Sequence, residues 1–221
     1  MAESNQLSGG MRSRKEAIIK ILLARDFTEL KLWAQQTRNP LRVMNSLLFD
    51  NNPLICYRAL EGLGIIAALE AKDNLEGLRK LIRSFFWMMN DESGNVGWYA
   101  PEAIGEILRN VPELIAEYGH MLPPFLIEEP FEKGTRITIA RVAEIDKACF
   151  DKPVIKKLIQ TLNDPAPNIR GTSIIALKAL GAEEAREQVR ALADDNAIFN
   201  SYNFVTGEID QITIGKLASD I

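Results

Sequence analysis

Apolar residues recur at three- and four-residue steps between residues 167 and 180, directly after a polar turn that contains two prolines. This spacing places them on one face of a helix. Pro167 fits the first turn of that helix, where its missing N–H leaves no hydrogen bond unmade, and Gly181 fits the position just past its end. The predicted inward face consists of Ile169, Ser173, Ala176, Leu177 and Leu180. One such helix cannot bury its face alone, so neighbouring helices of the same kind are expected.

The same pattern recurs along the chain. Residues 55–66 align with 96–107 without a gap, Ile169 begins a third copy, and 134–145 is a poorer fourth copy. One column of this alignment contains Gly64, Gly105, Ala143 and Lys178, at steps of 41, 38 and 35 residues. A period in this range, built from helix pairs, indicates an α-solenoid.

Further apolar periodicity, interrupted by Pro, Asn and Gly, predicts the remaining helices. A capping box at Ser13–Glu16 should open the first of them, and Asp73 should cap the helix at 75–90. Pro101 falls inside another, so that helix either starts near Trp98 or is kinked there. The predicted helices are 17–23, 27–36, 41–49, 54–69, 75–90, 96–110, 134–150, 153–162, 167–180 and 183–193, with short helices at 112–121 and 124–127.

The C-terminus changes character. Residues 198–205 are aromatic and β-branched, and 208–213 form a second such run after Thr206-Gly207. This pattern predicts a β-hairpin with its turn at Thr206-Gly207, followed by a short helix at 214–219 that Thr213 caps. A solenoid needs an atypical end that covers its last apolar face, so the hairpin is expected to cover the 183–193 helix.

The segment around the 167–180 helix resembles a known family. Asp164, the pair Ile169-Arg170 and the pair Ala176-Leu177 are similar to the HEAT-like repeat of the type named after phycobilisome lyases. The arginine of this motif is kept as Arg170 and replaced in the other copies. The resemblance implies an all-α chain, a right-handed α-solenoid of about five helix pairs with a small C-terminal hairpin cap. It also implies three parts: a disordered tail at 1–12, the solenoid at 13–196 and the cap at 197–221.

Composition narrows the class of protein. The 221 residues are 47% apolar, enough to bury a sizeable core. The net charge of −4 opposes nonspecific nucleic-acid binding. Cys56 and Cys149 have no CxxC spacing and lie in apolar helical patterns, so free buried thiols are expected. No apolar run reaches membrane-spanning length and no signal peptide is apparent, so a soluble cytoplasmic protein is the default expectation.

Little in the chain points to catalysis. His120 is the single histidine, which excludes a metal site built from several histidines. A Ser-His-Asp or Cys-His arrangement would have to use His120, and no nucleophile motif lies near it. The acidic loop at 91–95 fits a hard cation in composition, but it lacks EF-hand spacing and is expected to be a helix connection. We therefore predict no catalytic residue, no metal and no cofactor.

The aligned copies place polar and aromatic residues in shared columns of helices that should lie side by side. In repeats of the resembling family, the second helices of the pairs line a concave face that binds partners. One interpretation is a partner-binding face; the other is that the aromatic residues pack between repeats and the glutamates are solvated. The candidate partner-binding residues are Tyr57, Trp98 and Arg136 in one column, Glu61 and Glu102 in a second column, and Glu106 one turn further along.

The expected function is a non-enzymatic scaffold that binds another protein on this concave face. The alternative from the resemblance is a HEAT-like enzyme, either of the chromophore lyase type or of the DNA glycosylase type. A glycosylase should have a strongly basic groove, which the Glu61/Glu102 column opposes. A lyase needs an aromatic and acidic pocket, which Trp98 and Glu102 are able to supply.

Overall fold

Helix dominates the structure, as the periodicity predicts: the chain is 73% helical, with a two-stranded antiparallel sheet near its C-terminus. The computed structural model describes residues 11–90 and 97–219, with side chains from residue 15 onward. Most of the predicted tail at 1–12, and the whole loop at 91–95, lie outside the described residues. The predicted capping box is wrong as a helix start, because the first helix already begins at Met11.

The helices begin mostly at the predicted breaks, and their bounds are listed here in chain order. They are α1 Met11–Ala24, α2 Phe27–Gln36, α3 Pro40–Leu47, α4 Pro53–Met89, α5 Ala100–Asn110, α6 Ile115–Tyr118, α7 Glu132–Ala143, α8 Lys152–Gln160, α9 Pro167–Leu180, α10 Arg186–Arg190 and α11 Ile214–Ser219. Short 3₁₀ turns lie at Pro112–Leu114, Gly119–Met121, Pro123–Ile127, Lys147–Cys149, Thr161–Asn163 and Glu183–Ala185. The predictions for α2 and α9 are confirmed to the residue.

The two helices predicted at 54–69 and 75–90 run on as α4, but a break separates them. Asn74 has non-helical backbone angles, φ −143° and ψ 42°. Its side-chain Oδ1 accepts a hydrogen bond from the N–H of Gly77 at 3.2 Å, as an N-cap residue does. The predicted cap, Asp73, is therefore one residue too early.

Two proline and glycine predictions are resolved by the backbone. Pro101 lies in the first turn of α5, which starts at Ala100, so the helix is not kinked there. At the end of α9, Gly181 has φ +67°, the left-handed conformation that closes a helix at low cost in glycine. Near the other end of α9, Arg170 of the same motif forms an ion pair of 2.8 Å with Asp195.

Four helices form the middle of the molecule. α5 packs against both α4 and α7, and α9 packs on the other side of α7. At the α5–α7 contact, a Cβ on Gly105 would lie 2.8 Å from Cγ2 of Thr138, so glycine allows the close approach of these helices. The buried apolar side chains of these helices and their neighbours form one continuous core.

The predicted C-terminal hairpin is confirmed. Strands β1 Ile198–Asn203 and β2 Glu208–Thr213 pair antiparallel, and Gly207 in the connection has φ +77°. The hydroxyl of Thr213 accepts a hydrogen bond from the N–H of Lys216 at 3.2 Å and caps α11, as predicted.

The hairpin does not stop at the last helices; it reaches back to the beginning of the chain. Phe199 of β1 lies directly on α9, where a Cβ on Gly171 would meet its ring at 2.3 Å. At the hairpin tip, Arg58 of α4 donates to the carbonyl oxygen of Gly207 at 2.8 Å. Arg25, after α1, donates to the carbonyl oxygen of Val205 at 2.6 Å. The expectation that the hairpin covers α10 is therefore incomplete: α11 packs on α9 and α10, whereas β1 and the tip extend from α9 to α4.

Candidate functional site

The six predicted partner-binding residues do not share one open surface. Trp98 exposes 64% of its surface, whereas each of the other five exposes 7% or less. The interpretation that the glutamates are solvated is wrong for Glu61, Glu102 and Glu106, because neighbouring helices and the hairpin cover them. The buried ones are Tyr57, Glu61, Glu102, Glu106 and Arg136.

Tyr57 and Glu61 of α4 hold the hairpin. The ring of Tyr57 stacks on that of Tyr202 with a centroid distance of 4.8 Å and an interplanar angle of 4°. The hydroxyl of Tyr202 donates to Oε2 of Glu61 at 2.6 Å, and Arg25 donates to Oε1 of Glu61 at 2.6 Å. Burial and the bond to Glu61 raise the pKa of Tyr202, so its hydroxyl keeps its proton. These two predicted residues therefore bind a segment of their own chain.

Arg58, which lies about one turn before Glu61 in α4, also connects α4 with the hairpin. It is 4% exposed, yet its guanidinium is satisfied on every side. Besides Gly207, it donates to the carbonyl oxygens of Leu22 and Leu23 at 2.9 Å and to the carboxylate of Glu208 at 2.8 Å. One buried arginine thus connects the end of α1, the start of α4 and the hairpin tip.

Glu106 of α5 pairs with an arginine of α7. Nε of Arg141 donates to Oε1 of Glu106 at 2.6 Å. Cζ of the same guanidinium lies 4.0 Å from the ring centroid of Phe204. Arg141 also binds the carboxylate of Glu144 at 2.8 Å. Burial raises the pKa of Glu106 although Arg141 opposes that rise. Arg141 therefore links α5, α7 and the hairpin.

A cavity of about 650 Å³ lies between these helices and the hairpin tip. We call it the hairpin pocket. Its walls combine paired charged side chains with aromatic and aliphatic ones. Among the residues that line it are Arg25, Phe27, Glu61, Ile65, Glu106, Arg109, Arg141, Glu144, Tyr202 and Phe204.

Glu102 is buried, and no cation among the described residues forms an ion pair with it. It exposes 5%, and its Oε2 has no hydrogen-bond partner among the described residues. A Cβ on Gly134 would lie 2.3 Å from that oxygen, so the carboxyl group packs against the start of α7. Burial raises the pKa of Glu102 to about 7, opposed weakly by Lys133. The interpretation of Glu102 as a solvated glutamate is therefore wrong.

Arg136 is a structural residue inside the core. It exposes 1% and donates to the hydroxyl of Ser173 at 2.9 Å and to the carbonyl oxygens of Leu126 and Glu132 at 3.0 and 2.8 Å. These bonds connect α7 with α9 and with the 3₁₀ turn at Pro123–Ile127. The predicted column of Tyr57, Trp98 and Arg136 therefore does not form a surface.

Trp98 lies at the start of α5 beside a second exposed aromatic residue. Phe49, just after α3, is 52% exposed and lines the same shallow depression. The depression also includes Leu48, Met88 and Tyr99. We call this surface the Phe49–Trp98 patch. Trp87 is equally exposed at 64%, but it does not line the depression.

A groove of about 1060 Å³ is lined by His120 and Cys149, among other residues. The 3₁₀ turns after α6 form one wall of this groove. Helix α8 forms the other wall, to which it contributes Lys152 and Lys156. Burial raises the pKa of the Cys149 thiol to about 11, which keeps it protonated at neutral pH. Both cysteines are free, as predicted; Cys56 is buried and Cys149 partly exposed. Nothing in this groove favours a thiolate nucleophile.

Comparison with known proteins places the chain in a family. No family model matches it. It is 31% identical over 139 residues to a protein of Archaeoglobus fulgidus described as uncharacterized, and the match covers 62% of this chain and 72% of that protein. The chain belongs to the same family as this archaeal protein.

The fold of this chain is similar to that of a solved structure. The crystal structure of an engineered protein, a target of the Northeast Structural Genomics Consortium, matches with a TM-score of 0.56 at 15% identity. The match covers 96% of this chain and 90% of the engineered one. At this identity the likeness concerns the fold alone. No helix in the described part of the chain is both long and apolar enough to cross a membrane.

The sequence patterns missed the residues that hold the hairpin in place. Arg25, Arg58 and Arg141 look like ordinary surface cations, since nothing near them in sequence indicates a buried partner. Tyr202 and Phe204 did carry a signal. A two-stranded hairpin cannot bury aromatic side chains by itself, so such residues require another surface to cover them.

Proposed function

We propose that this chain is a HEAT-like repeat protein, an α-solenoid that acts as a non-enzymatic interaction module. The packing of α4, α5, α7 and α9 in chain order supports the repeat arrangement. So does the helix predicted from the repeat motif, α9, with its left-handed Gly181. Both observations support the repeat architecture and not the binding surface.

The observation that carries the function is the exposure of Trp98. Large aromatic side chains gain most from leaving water, and tryptophan is the residue type most enriched among interface hot spots. Trp98 is 64% exposed and lies beside Phe49, which is 52% exposed. Together they offer an apolar surface, which we assign to a partner protein.

This proposal moves the partner from the concave face to the Phe49–Trp98 patch. The five buried side chains predicted for the concave face are engaged by the hairpin or by other helices, and Trp98 alone of the six is exposed. Glu61, for example, already binds Arg25 and Tyr202. A partner would have to displace these contacts before it reached those residues.

The enzymatic alternative has less support. A lyase pocket built from Trp98 and Glu102 would need both at one cavity, but Trp98 lies on the surface depression and Glu102 is packed against Gly134. A glycosylase-type groove should be basic, whereas Arg25 and Arg141 at the hairpin pocket are paired with Glu61 and Glu106.

The test compares two tryptophan variants of matched exposure. Immobilised wild-type protein, Trp98→Ala and Trp87→Ala are incubated with extract of the source cell. A protein retained by the wild type and by Trp87→Ala is then purified and titrated. We expect Trp98→Ala to weaken its binding by about 2 kcal/mol, or roughly 30-fold.

Thermal melts of the same variants separate binding from folding. An exposed tryptophan contributes little to the core, so the melting temperature of Trp98→Ala should stay near that of the wild type. Equal binding by Trp98→Ala and the wild type, or equal losses in both variants, would refute the assignment.

A further inference from the structure

The hairpin pocket has the size of a small-molecule site. Its volume of about 650 Å³ falls within the range of roughly 300–1,000 Å³ that is usual for ligand pockets. It lies away from the depression of the Phe49–Trp98 patch, with no lining residue in common. The hairpin pocket is therefore a candidate binding site separate from the Phe49–Trp98 patch.

The charged groups on its walls are fixed before any ligand binds. Nε and Nη2 of Arg141 are directed to Glu106, and its Nη1 donates to Glu144. Arg25 uses all three nitrogens on Glu61 and on hairpin carbonyl oxygens. Every guanidinium nitrogen of these two arginines therefore already donates to a protein group.

Arg109 differs from the other two arginines of the pocket. Its Nε donates to Oε2 of Glu144 at 2.9 Å, which sets the orientation of the guanidinium. Its two Nη groups have no hydrogen-bond partner among the described residues, and the side chain is 33% exposed. Two adjacent N–H donors with a fixed orientation match the geometry of a carboxylate.

Part of the remaining lining of the hairpin pocket is apolar, although Asn110 and Asn203 line it as well. Phe27, Ile65 and Phe204 line it without offering side-chain hydrogen bonds. The acidic neighbour Glu144 does not exclude an anion, because Arg109 and Arg141 both donate to it. A ligand with one carboxylate and a flat or branched hydrocarbon part would satisfy both kinds of wall.

We propose that the hairpin pocket binds a small organic carboxylate with an aromatic body, and that Arg109 holds its carboxylate. The probe is 3-phenylpropionate, and its neutral amide, 3-phenylpropionamide, has nearly the same shape. Binding of both is measured by ligand-observed NMR titration with the full chain. The carboxylate should bind at least about tenfold more tightly than the amide, since a charge-assisted pair is lost.

Two variants test the site and one serves as a control. Arg109→Gln removes the guanidinium and should weaken carboxylate binding about tenfold or more. Ile65→Trp fills the cavity and should abolish binding of both probes. Arg79→Gln is the control: Arg79 is 29% exposed and pairs with Glu117 at 2.6 Å, away from the pocket. It should bind like the wild type.

Thermal melts confirm that each variant is folded. Three results would overturn the proposal: no carboxylate binding by the wild type at millimolar concentration, equal affinity for acid and amide, or a loss in Arg79→Gln as large as in Arg109→Gln. None of these depends on Trp98, so the proposed partner surface stands or falls separately.

Discussion

Glu102 should make the folded chain less stable as the pH rises from 4.5 to about 7. Its carboxyl is buried, its Oε2 lacks a partner among the described residues, and burial raises its pKa from the ordinary 4.5 to about 7. Between these two values the folded state holds a proton that the unfolded state has lost. Stability is therefore highest below the unfolded pKa, falls as the pH rises toward 7, and levels off above it.

The size of this effect follows from the same shift. A pKa difference of one corresponds to about 1.4 kcal/mol, so a rise from 4.5 to about 7 amounts to about 3 kcal/mol. Glutamine has nearly the same shape as glutamic acid and does not titrate. Glu102→Gln should therefore gain about 3 kcal/mol relative to the wild type on going from about pH 4 to about pH 8. Any effect of the amide on the free energy of unfolding that does not depend on pH cancels when the two pH values are compared.

The assay is urea denaturation across that pH range, followed by tryptophan fluorescence and analysed by linear extrapolation. Glu113→Gln, at an exposed position, is the matched control and should differ from the wild type by a constant amount. If Glu102→Gln also differs by a constant amount at every pH, the carboxyl of Glu102 does not titrate as its burial requires, and the reasoning is wrong.

Three further predictions concern the hairpin. Tyr202→Phe keeps the ring but loses the hydroxyl bond to Glu61, which should cost about 2 kcal/mol in urea melts; no change would mean that this bond is not formed in solution. Gly171→Ala places a Cβ against Phe199 and should cost about 1–3 kcal/mol by thermal denaturation, and a neutral effect would contradict that close packing. Removal of residues 197–221 uncovers buried aromatic surface and should lower the melting temperature and cause aggregation in size-exclusion chromatography, whereas a stable monomer would make the hairpin an appendage.

Local structure was readable from the sequence because its signals are local. Pro167 and Gly181 mark the two ends of α9, and the apolar spacing between them needs no information from elsewhere in the chain. The hairpin followed from its turn residues and β-branched strands in the same way. The break at Asn74 was predicted one residue away, since Asp73 is an equally good cap by residue type.

The site was not readable, because it depends on a contact between distant parts of the chain. Glu61 and Tyr202 are 141 residues apart, and no periodic pattern relates a strand residue to a helix residue. The alignment placed Glu61 and Glu102 in one column, which was interpreted as an exposed face, but both residues are buried. It did not reveal that Arg25 pairs with Glu61, whereas Oε2 of Glu102 has no hydrogen-bond partner among the described residues.

The central claim is that a partner protein contacts the surface around Trp98, and cross-linking in the source cell tests it most directly. A photoreactive p-benzoylphenylalanine replaces Trp98 in one sample and the equally exposed Trp87 in another. After irradiation, the adducts are identified by mass spectrometry. The proposal predicts that one protein is cross-linked from position 98 and is absent from the adducts of position 87. The same adducts from both positions, or none from position 98, would contradict it.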